Sequence, residues 1–448
     1  MKNSIEAVCI IAVLYVSTIQ AEENRSMVTV SNTIRNETLI IIDPQTHIDY
    51  GLAYPVTHEF SFPSGMDSLS AKRKFKLDQE WFQILEKTNE DFFNGVEAVR
   101  FDYETHTAYV SIGFSNLSDS IFIKIIDSDG NNIDATYLGM SQYYDNRDAV
   151  VTSTADDWAS WCNEKFIQTC HVFRSYNLWL SCAIVTGGVD SIIWGDIQNQ
   201  LDSGFVEAVA HSRTHPYIPY SDPEGEVLGS KEDIIDNLIL PEYNRYGERE
   251  YVYAWVAPYG EYNEEIDSLV SEGNYLVTRM YYGGEHDFSS WDQELNKFDP
   301  VGVSMEVGPL WLGTIDSVEL NNAFNDVVSS GGIYHVMCHP NILEWDEEYP
   351  WAHLNHISNR KNIWYAAFGH IYLYHFLQSV YPTLNTFHNE KNNPNSNKVT
   401  LYQNYPNPFN PVTAISYRLD KRSFVDLSIY NLSGRSIETL WNNWQEKG

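Results

Sequence analysis

The chain has 448 residues, of which 43% are hydrophobic and 14% aromatic; that is ample apolar material for globular folding but too long a chain for one ordinary core, so two or three domains are expected. With 61 acidic against 28 basic residues the formal charge is −33, which argues against nucleic acid and anionic membrane surfaces as partners and against polyanionic substrates. A neutral or amine-bearing substrate fits that charge, and surplus Trp and Tyr suit stacking on sugar rings as well as they suit a β-sandwich core.

The N-terminus reads as an export signal over residues 1–21: Lys2, an apolar stretch from Ala7 to Val16, then small and polar residues up to Ala21 and the charged Glu22–Glu23. The stretch is short for a bilayer and no later segment is long and apolar enough, so no membrane span is expected after its removal. The expected destination is the cell surface or the medium, by way of the periplasm. Beyond the signal remain Cys162, Cys170, Cys182 and Cys338, which an exported chain can carry either as disulfides in one of three pairings or as free buried thiols. No CxxC spacing occurs.

Residues 27–148 carry alternating segments such as Ala108–Phe114 and Ser120–Asp127, separated by turn formers such as Asp129–Gly130; they read as a β-sandwich-like accessory domain, with one short helical period around Glu80–Thr88. From Ala149 to residue 384 the pattern changes. Val150–Thr154, Leu180–Thr186, Val206–Ala210, Tyr251–Ala257, Tyr275–Arg279 and Gly332–Cys338 read as strands, and Asp190–Leu201, Lys231–Leu240, Glu264–Glu272 and Val318–Ser329 as the helices between them. That alternation predicts an α/β fold with a largely parallel sheet, open or closed into a barrel, whose reactive residues gather at the C-terminal ends of strands. Residues 385–398 form an Asn-rich linker, and 399–448 return to strand alternation.

Three polar clusters follow strands. Asp156 and Asp157 are adjacent carboxylates, which permits one to bind a cation while the other takes a proton. His211 and His215, four residues apart, suit a divalent metal if they share one side of a helical turn. With Asp157 they complete a set of three protein ligands that leaves positions open for water and substrate. His339 stands at a strand end, where it could protonate a leaving group.

Taken together, residues 149–381 resemble the polysaccharide deacetylases of carbohydrate esterase family four, the NodB homology domain. Thr154-Ala155-Asp156-Asp157-Trp158 is similar to the family's first motif, His211-Ser212-Arg213-Thr214-His215 to the second, Ala257-Pro258-Tyr259-Gly260 to the end of the third, Asp287-Phe288-Ser289-Ser290-Trp291 to the fourth and Met337-Cys338-His339 to the fifth. The resemblance implies a distorted (β/α) barrel. It also implies zinc or a similar divalent ion on Asp157, His211 and His215, Asp156 as the general base, and the backbone N–H of Tyr259 beside the oxyanion. His339 would be the general acid, and Trp158, Pro258, Trp291 and Met337 would lie around the acetyl pocket. Two departures stand out. The Arg that usually precedes Pro-Tyr-Gly is absent from Ala254-Trp255-Val256-Ala257, so Asp156 would lack its customary partner. Trp158 stands where Gly is common and would crowd the mouth. At the C-terminus, Tyr402-Gln403-Asn404-Tyr405-Pro406-Asn407-Pro408-Phe409-Asn410-Pro411 and Ile429–Gly434 resemble the small β-sandwich sorting domains recognised by type IX secretion machinery, here cut short after Trp444.

The expected function is removal of N- or O-acetyl groups from an acetylated polysaccharide. Its rivals are a binding protein that keeps the metal site while catalysis has faded, and a metal-dependent peptidase or amidase, whose His-Glu-x-x-His signature is missing.

Overall fold

The computed structural model describes residues 11–17, 28–33, 37–42, 55–75, 78–93, 97–113, 121–240, 252–279, 288–289, 301–306, 316–380, 399–401, 417–419, 423–430 and 436–445. The chain divides into two compact units, one of Ser26–Thr386 and one formed by Met1–Arg25 with Phe387–Gly448.

Within Ser26–Thr386 the N-terminal part builds two five-stranded sheets. One is ordered Val28–Thr33, Glu37–Ile42, Ile121–Asp127, Leu69–Phe75, Phe82–Gln83; the other Thr136–Met140, Val56–Ser61, Thr107–Ile112, Ala98–Asp102, Leu85–Glu86. Alternation sends Phe60, Ala71, Val110 and Ile123 into one buried cluster shared by both sheets, as period-two patterning requires. The segment read as a short helix, Glu80–Thr88, instead supplies the two short edge strands 82–83 and 85–86; cross-strand pairing overrides a weak local period.

The second part is a curved, mainly parallel sheet. Its strands are β1 (Ala149–Trp158), β2 (Leu180–Ile184), β3 (Val206–Ala210), β4 (Ala254–Val256), β5 (Val277–Arg279), β6 (Phe288–Ser289), β7 (Val301–Ser304), β8 (Ile333–Cys338) and β9 (Ile363–Tyr365). The order is β6-β5-β4-β3-β2-β1-β8-β7, β9 pairs the start of β1, and only β6 runs antiparallel. All five residues of both β2 and β3 are buried, as expected for strands covered on both faces. The covering helices are α1 (Asn163–Ser175), α2 (Ser191–Asp202), α3 (Ser230–Asn237), α4 (Glu264–Glu272), α5 (Ser317–Ser329), α6 (Glu348–Ile357) and α7 (Phe368–Val380). Asp190, Asn263 and Asp316 cap α2, α4 and α5, each side chain accepting from a first-turn backbone N–H, which satisfies donors that have no partner inside the helix.

Two buried charged groups fix how these layers meet. Glu207 of β3 accepts from Ser181 Oγ at 2.5 Å and from the Gly369 backbone at the start of α7 at 3.0 Å. Asp145 pairs with Arg100 and Arg147, both at 2.7 Å, so a carboxylate ahead of β1 is compensated rather than left as a bare buried charge.

In the other unit, Ile11–Ser17 pairs antiparallel with Ser423–Tyr430, which pairs with Ser436–Gln445; Val399–Leu401 pairs with Tyr417–Leu419. The Tyr402–Pro411 segment lies outside the described residues.

Candidate metal centre

The C-terminal ends of the parallel strands bring the three polar clusters together. In a regular strand neighbouring side chains point to opposite faces, so Asp156 and Asp157 could not serve one site. A β-bulge resolves this: along β1 the pairing advances three residues from Ala155 to Trp158, while β2 advances two from Cys182 to Ile184. Asp157 sits in the bulge at φ 77°, and the Cys162 thiol donates to its carbonyl at 2.7 Å.

His211 follows β3, but the His211–His215 segment is not a helical turn. It is an irregular loop with Ser212 at φ 64° and His215 at φ 55°. Ser212 Oγ accepts the His215 backbone N–H at 2.9 Å. The buried Glu226 carboxylate accepts from the backbones of Arg213 and Thr214 and from Thr214 Oγ1, at 2.6–2.9 Å. These bonds, not helical spacing, turn both imidazoles to one side.

Asp157, His211 and His215 each offer a ligand atom within 4.8 Å of the others. Asp157 Oδ1 lies 3.3 Å from Nε2 of both histidines. That separation matches two donors about 2.0–2.1 Å from a shared tetrahedral ion. His211 Nδ1 lies 2.8 Å from the Val256 carbonyl, so its N–H points there and Nε2 keeps its lone pair. Burial raises the Asp157 carboxyl, but the His211 hydrogen bond and the charges of His211, His215 and His339 outweigh it and bring the group down to about 2. Burial and the neighbouring His211 push the His215 imidazole below its ordinary value. Two imidazoles and a carboxylate gathered at this spacing fit a divalent cation.

The absent Arg before Pro258 is made good from elsewhere. Arg279, fully buried at the end of β5, donates through Nη2 to Asp156 Oδ2 and through Nη1 to Thr154 Oγ1 at 3.1 Å. Thr154 Oγ1 in turn lies 2.9 Å from His335 Nε2. Asp156 therefore does not lack its partner; the guanidinium arrives one strand later than the third motif places it. Asp156 Oδ1 is buried, and among the described residues no donor reaches it, so it is the lone pair left for a proton.

On the other side, His339 Nε2 stands 3.9 Å from Asp156 Oδ2. Glu306, two residues beyond β7, accepts the His339 backbone N–H and lies 3.9 Å from its Nδ1. Burial lowers the His339 imidazole, but the hydrogen bond to Glu306 and the charges of Asp156, Glu306 and Asp157 outweigh it, and the group rises to about 9. His339 is thus an imidazolium at neutral pH, the form a proton donor needs. In the metal-free protein this stabilises the fold fully below the ordinary value of 6.5, and the contribution is lost as pH rises through 9. Replacing Glu306 by Gln removes a negative charge from beside His339, so the alkaline limb of a kcat/KM profile is expected to move to lower pH, with activity at pH 8.5 down roughly tenfold. A profile unchanged in position would remove Glu306 from this role.

Tyr259 occupies the turn Pro258–Gly260 at φ 57°. Its ring meets His215 edge-on at 4.4 Å and stacks on Tyr217 at 3.7 Å; at 46% and 63% exposed, the two tyrosines form an open aromatic ledge beside the ligands. Two pocket expectations are corrected. Trp158 does not crowd the mouth: it is fully buried, stacked on Phe166 at 4.8 Å, with its indole N–H on Asn163. Met337 is also fully buried, its sulfur taking Arg279 Nη1 at 3.7 Å. Pro258 is buried beneath the turn. Asp287 and Trp291 lie outside the described residues. Cys162, Cys170, Cys182 and Cys338 are free and buried, with the Cys170 and Cys182 sulfurs 3.9 Å apart.

What the fold and site define is a set of three residues able to hold a cation, with a flanking carboxylate and imidazole, at the C-terminal end of a parallel α/β sheet. No protein-family profile matches the sequence, and no curated protein matches it. Among solved structures, the chain aligns with a CE4-family pseudoenzyme from Bacillus anthracis at 14% identity over 43% of this chain and 54% of that one, so it spans about half of that protein, with a TM-score of 0.26. It aligns with a family 4 acetyl xylan esterase from Clostridium thermocellum, solved with a cobalt ion, at 14% identity over 50% and 90% of the chains, TM-score 0.32. A peptidoglycan deacetylase from Bacillus subtilis gives 14%, 50%, 90% and 0.31.

Proposed function

We infer that this chain is an exported, metal-dependent hydrolase that removes N- or O-acetyl groups from a polysaccharide. The observation that carries the reading is the convergence of Asp157, His211 and His215 with the Arg279-held Asp156 on one side and the Glu306-paired His339 on the other. A divalent cation such as zinc, when bound, supplies a Lewis acid for the acyl oxygen and acidifies water. Asp156 Oδ1 then takes the proton of the attacking water. His339, protonated at neutral pH, delivers one to the departing amine nitrogen or alkoxide oxygen, so proton uptake and release balance over the cycle. The Tyr259 backbone N–H is assigned to the developing oxyanion. Type IX secretion machinery as a partner, and the surface or extracellular location, are supported by the Tyr402–Pro411 segment and by the signal-like residues 1–21.

The rival reading, a binding protein with faded catalysis, drew its support from a missing Arg, and Arg279 removes that support. The direct test is acetate release from acetylated xylan and N-acetylchitooligosaccharides. Release should stop on chelation, return with added divalent ion, and be absent in His211→Ala, which should also bind no metal. Release that persists in chelator, with metal content at zero, would sink the metal-dependent reading.

A further inference from the structure

The cleft of about 610 Å³ in Ser26–Thr386 lies at the other end of the parallel strands from the metal centre. Asn177 and Trp179 precede β2, Phe205 precedes β3, and Trp364 and Tyr365 close β9 against the start of β1. The opposite wall comes from the sandwich side, through Phe92, Tyr144 and the Asp145–Arg147 pair. Every reactive group described above stands at the C-terminal ends of these strands, so the cleft is a separate place.

Its chemistry is distinctive in two ways. First, the lining is aromatic. Trp179 and Phe205 are only half-buried, with ring centroids 5.6 Å apart, and Tyr144 packs on Trp364 at 6.0 Å. Second, the guanidinium in its lining has no hydrogen-bond donor left to give. All five N–H donors of Arg147 are engaged: Nε and one Nη2 hydrogen on Asp145, the other Nη2 hydrogen on the Asp91 carbonyl, and Nη1 on the carbonyls of Asn89 and Lys361. A guanidinium in that state has nothing to offer a carboxylate or phosphate. What remains at the rim are the exposed carboxamides of Asn177 and Asn359, joined by a single 3.0 Å hydrogen bond. Aromatic faces for apolar ring surface, amides for hydroxyls and a guanidinium with no free donor, with the His370 imidazole packed 6.0 Å from the Trp179 ring, suit a ring-bearing ligand without an anionic group.

We propose that this cleft binds a neutral glycan segment, independently of the metal centre. The choice of a glycan rests on the proposed function; the location and neutrality of the site do not. The pyranose C–H face lies on Trp179 and Phe205, and its hydroxyls meet Asn177 and Asn359. The site holds substrate without reacting with it.

The test is calorimetry of the full chain, stripped of metal, against neutral xylo-, cello-, manno- and N-acetylchitohexaose. At least one should bind, and Trp179→Leu, which keeps an apolar side chain at the half-buried position, should weaken that binding about tenfold. Metal binding by Trp179→Leu should be unchanged, which reports a folded sheet; if that variant loses metal as well, Phe205→Leu replaces it. His211→Ala should bind the hexasaccharide as the parent does. Absence of binding by any of the four, or affinity untouched by the leucine variants, overturns the proposal even if acetate is released. Binding that depends on Trp179 with no acetate release upholds it while removing the hydrolase reading.

Discussion

Asp156→Asn is expected to lower acetate release about a thousandfold, within the range that a positioned base contributes, while bound metal stays at the parent stoichiometry. The asparagine is nearly isosteric and still offers an amide oxygen to Arg279, so the geometry at the end of β1 is kept. What disappears is the basic Oδ1, the carboxylate atom that no donor reaches among the described residues. Asp157, one residue on, carries the ligand role. Metal content by elemental analysis beside single-turnover acetate release separates the two functions. Unchanged release would remove Asp156 as the base, and loss of metal would make it a ligand.

Arg279→Met is expected to cost about 3–5 kcal/mol of stability, because it strands a carboxylate that is almost wholly buried, and to reduce acetate release with it. Arg279→Lys keeps the charge but loses the planar fork that reaches both Asp156 and Thr154, so it should recover only part of each loss. The double variant Asp156→Asn with Arg279→Met should be less destabilised than Arg279→Met alone, since no orphaned charge remains; urea denaturation of the four proteins closes the cycle. Strict additivity would show that the pair is not coupled.

The sequence carried the main site residues because they stand at the end of, or directly after, a strand whose apolar run is unmistakable: Asp157 in the last residues of β1, His211 after β3 and His339 after β8. Glu264–Glu272 and Val206–Ala210 fall where the pattern put them, and other boundaries differ by a few residues, as with β5, expected from Tyr275 and observed from Val277. The supporting groups were less visible. Arg279 was legible as the last residue of an expected strand, yet its reach to Asp156 depends on how β5 lies in the sheet, and linear order assigns that task to the residues before Pro258. Glu306 follows β7, a four-residue strand too short to show a period. Glu226 lies in a polar stretch without any local signal and acts only through the loop it holds. Trp158 was misread because a neighbouring position in a motif says nothing of which face a bulged strand presents. The His211–His215 spacing suggested a helical turn; two residues in left-handed backbone conformation do the same work.

β1 runs ten residues, from Ala149 beside the aromatic cleft to Trp158 beside the ligands. At roughly 3.3 Å per residue it separates the two places by about 30 Å. A short oligosaccharide seated at one end therefore cannot present its own acetyl group at the other. The gain from the distal seat is one of local concentration: it accrues on long chains or on insoluble fibres and walls, where many acetyl groups surround each anchor point, and vanishes on soluble fragments. Comparing Trp179→Leu with the parent on acetylated polymer and on acetylated trimer would expose that difference as a rate defect confined to the polymer.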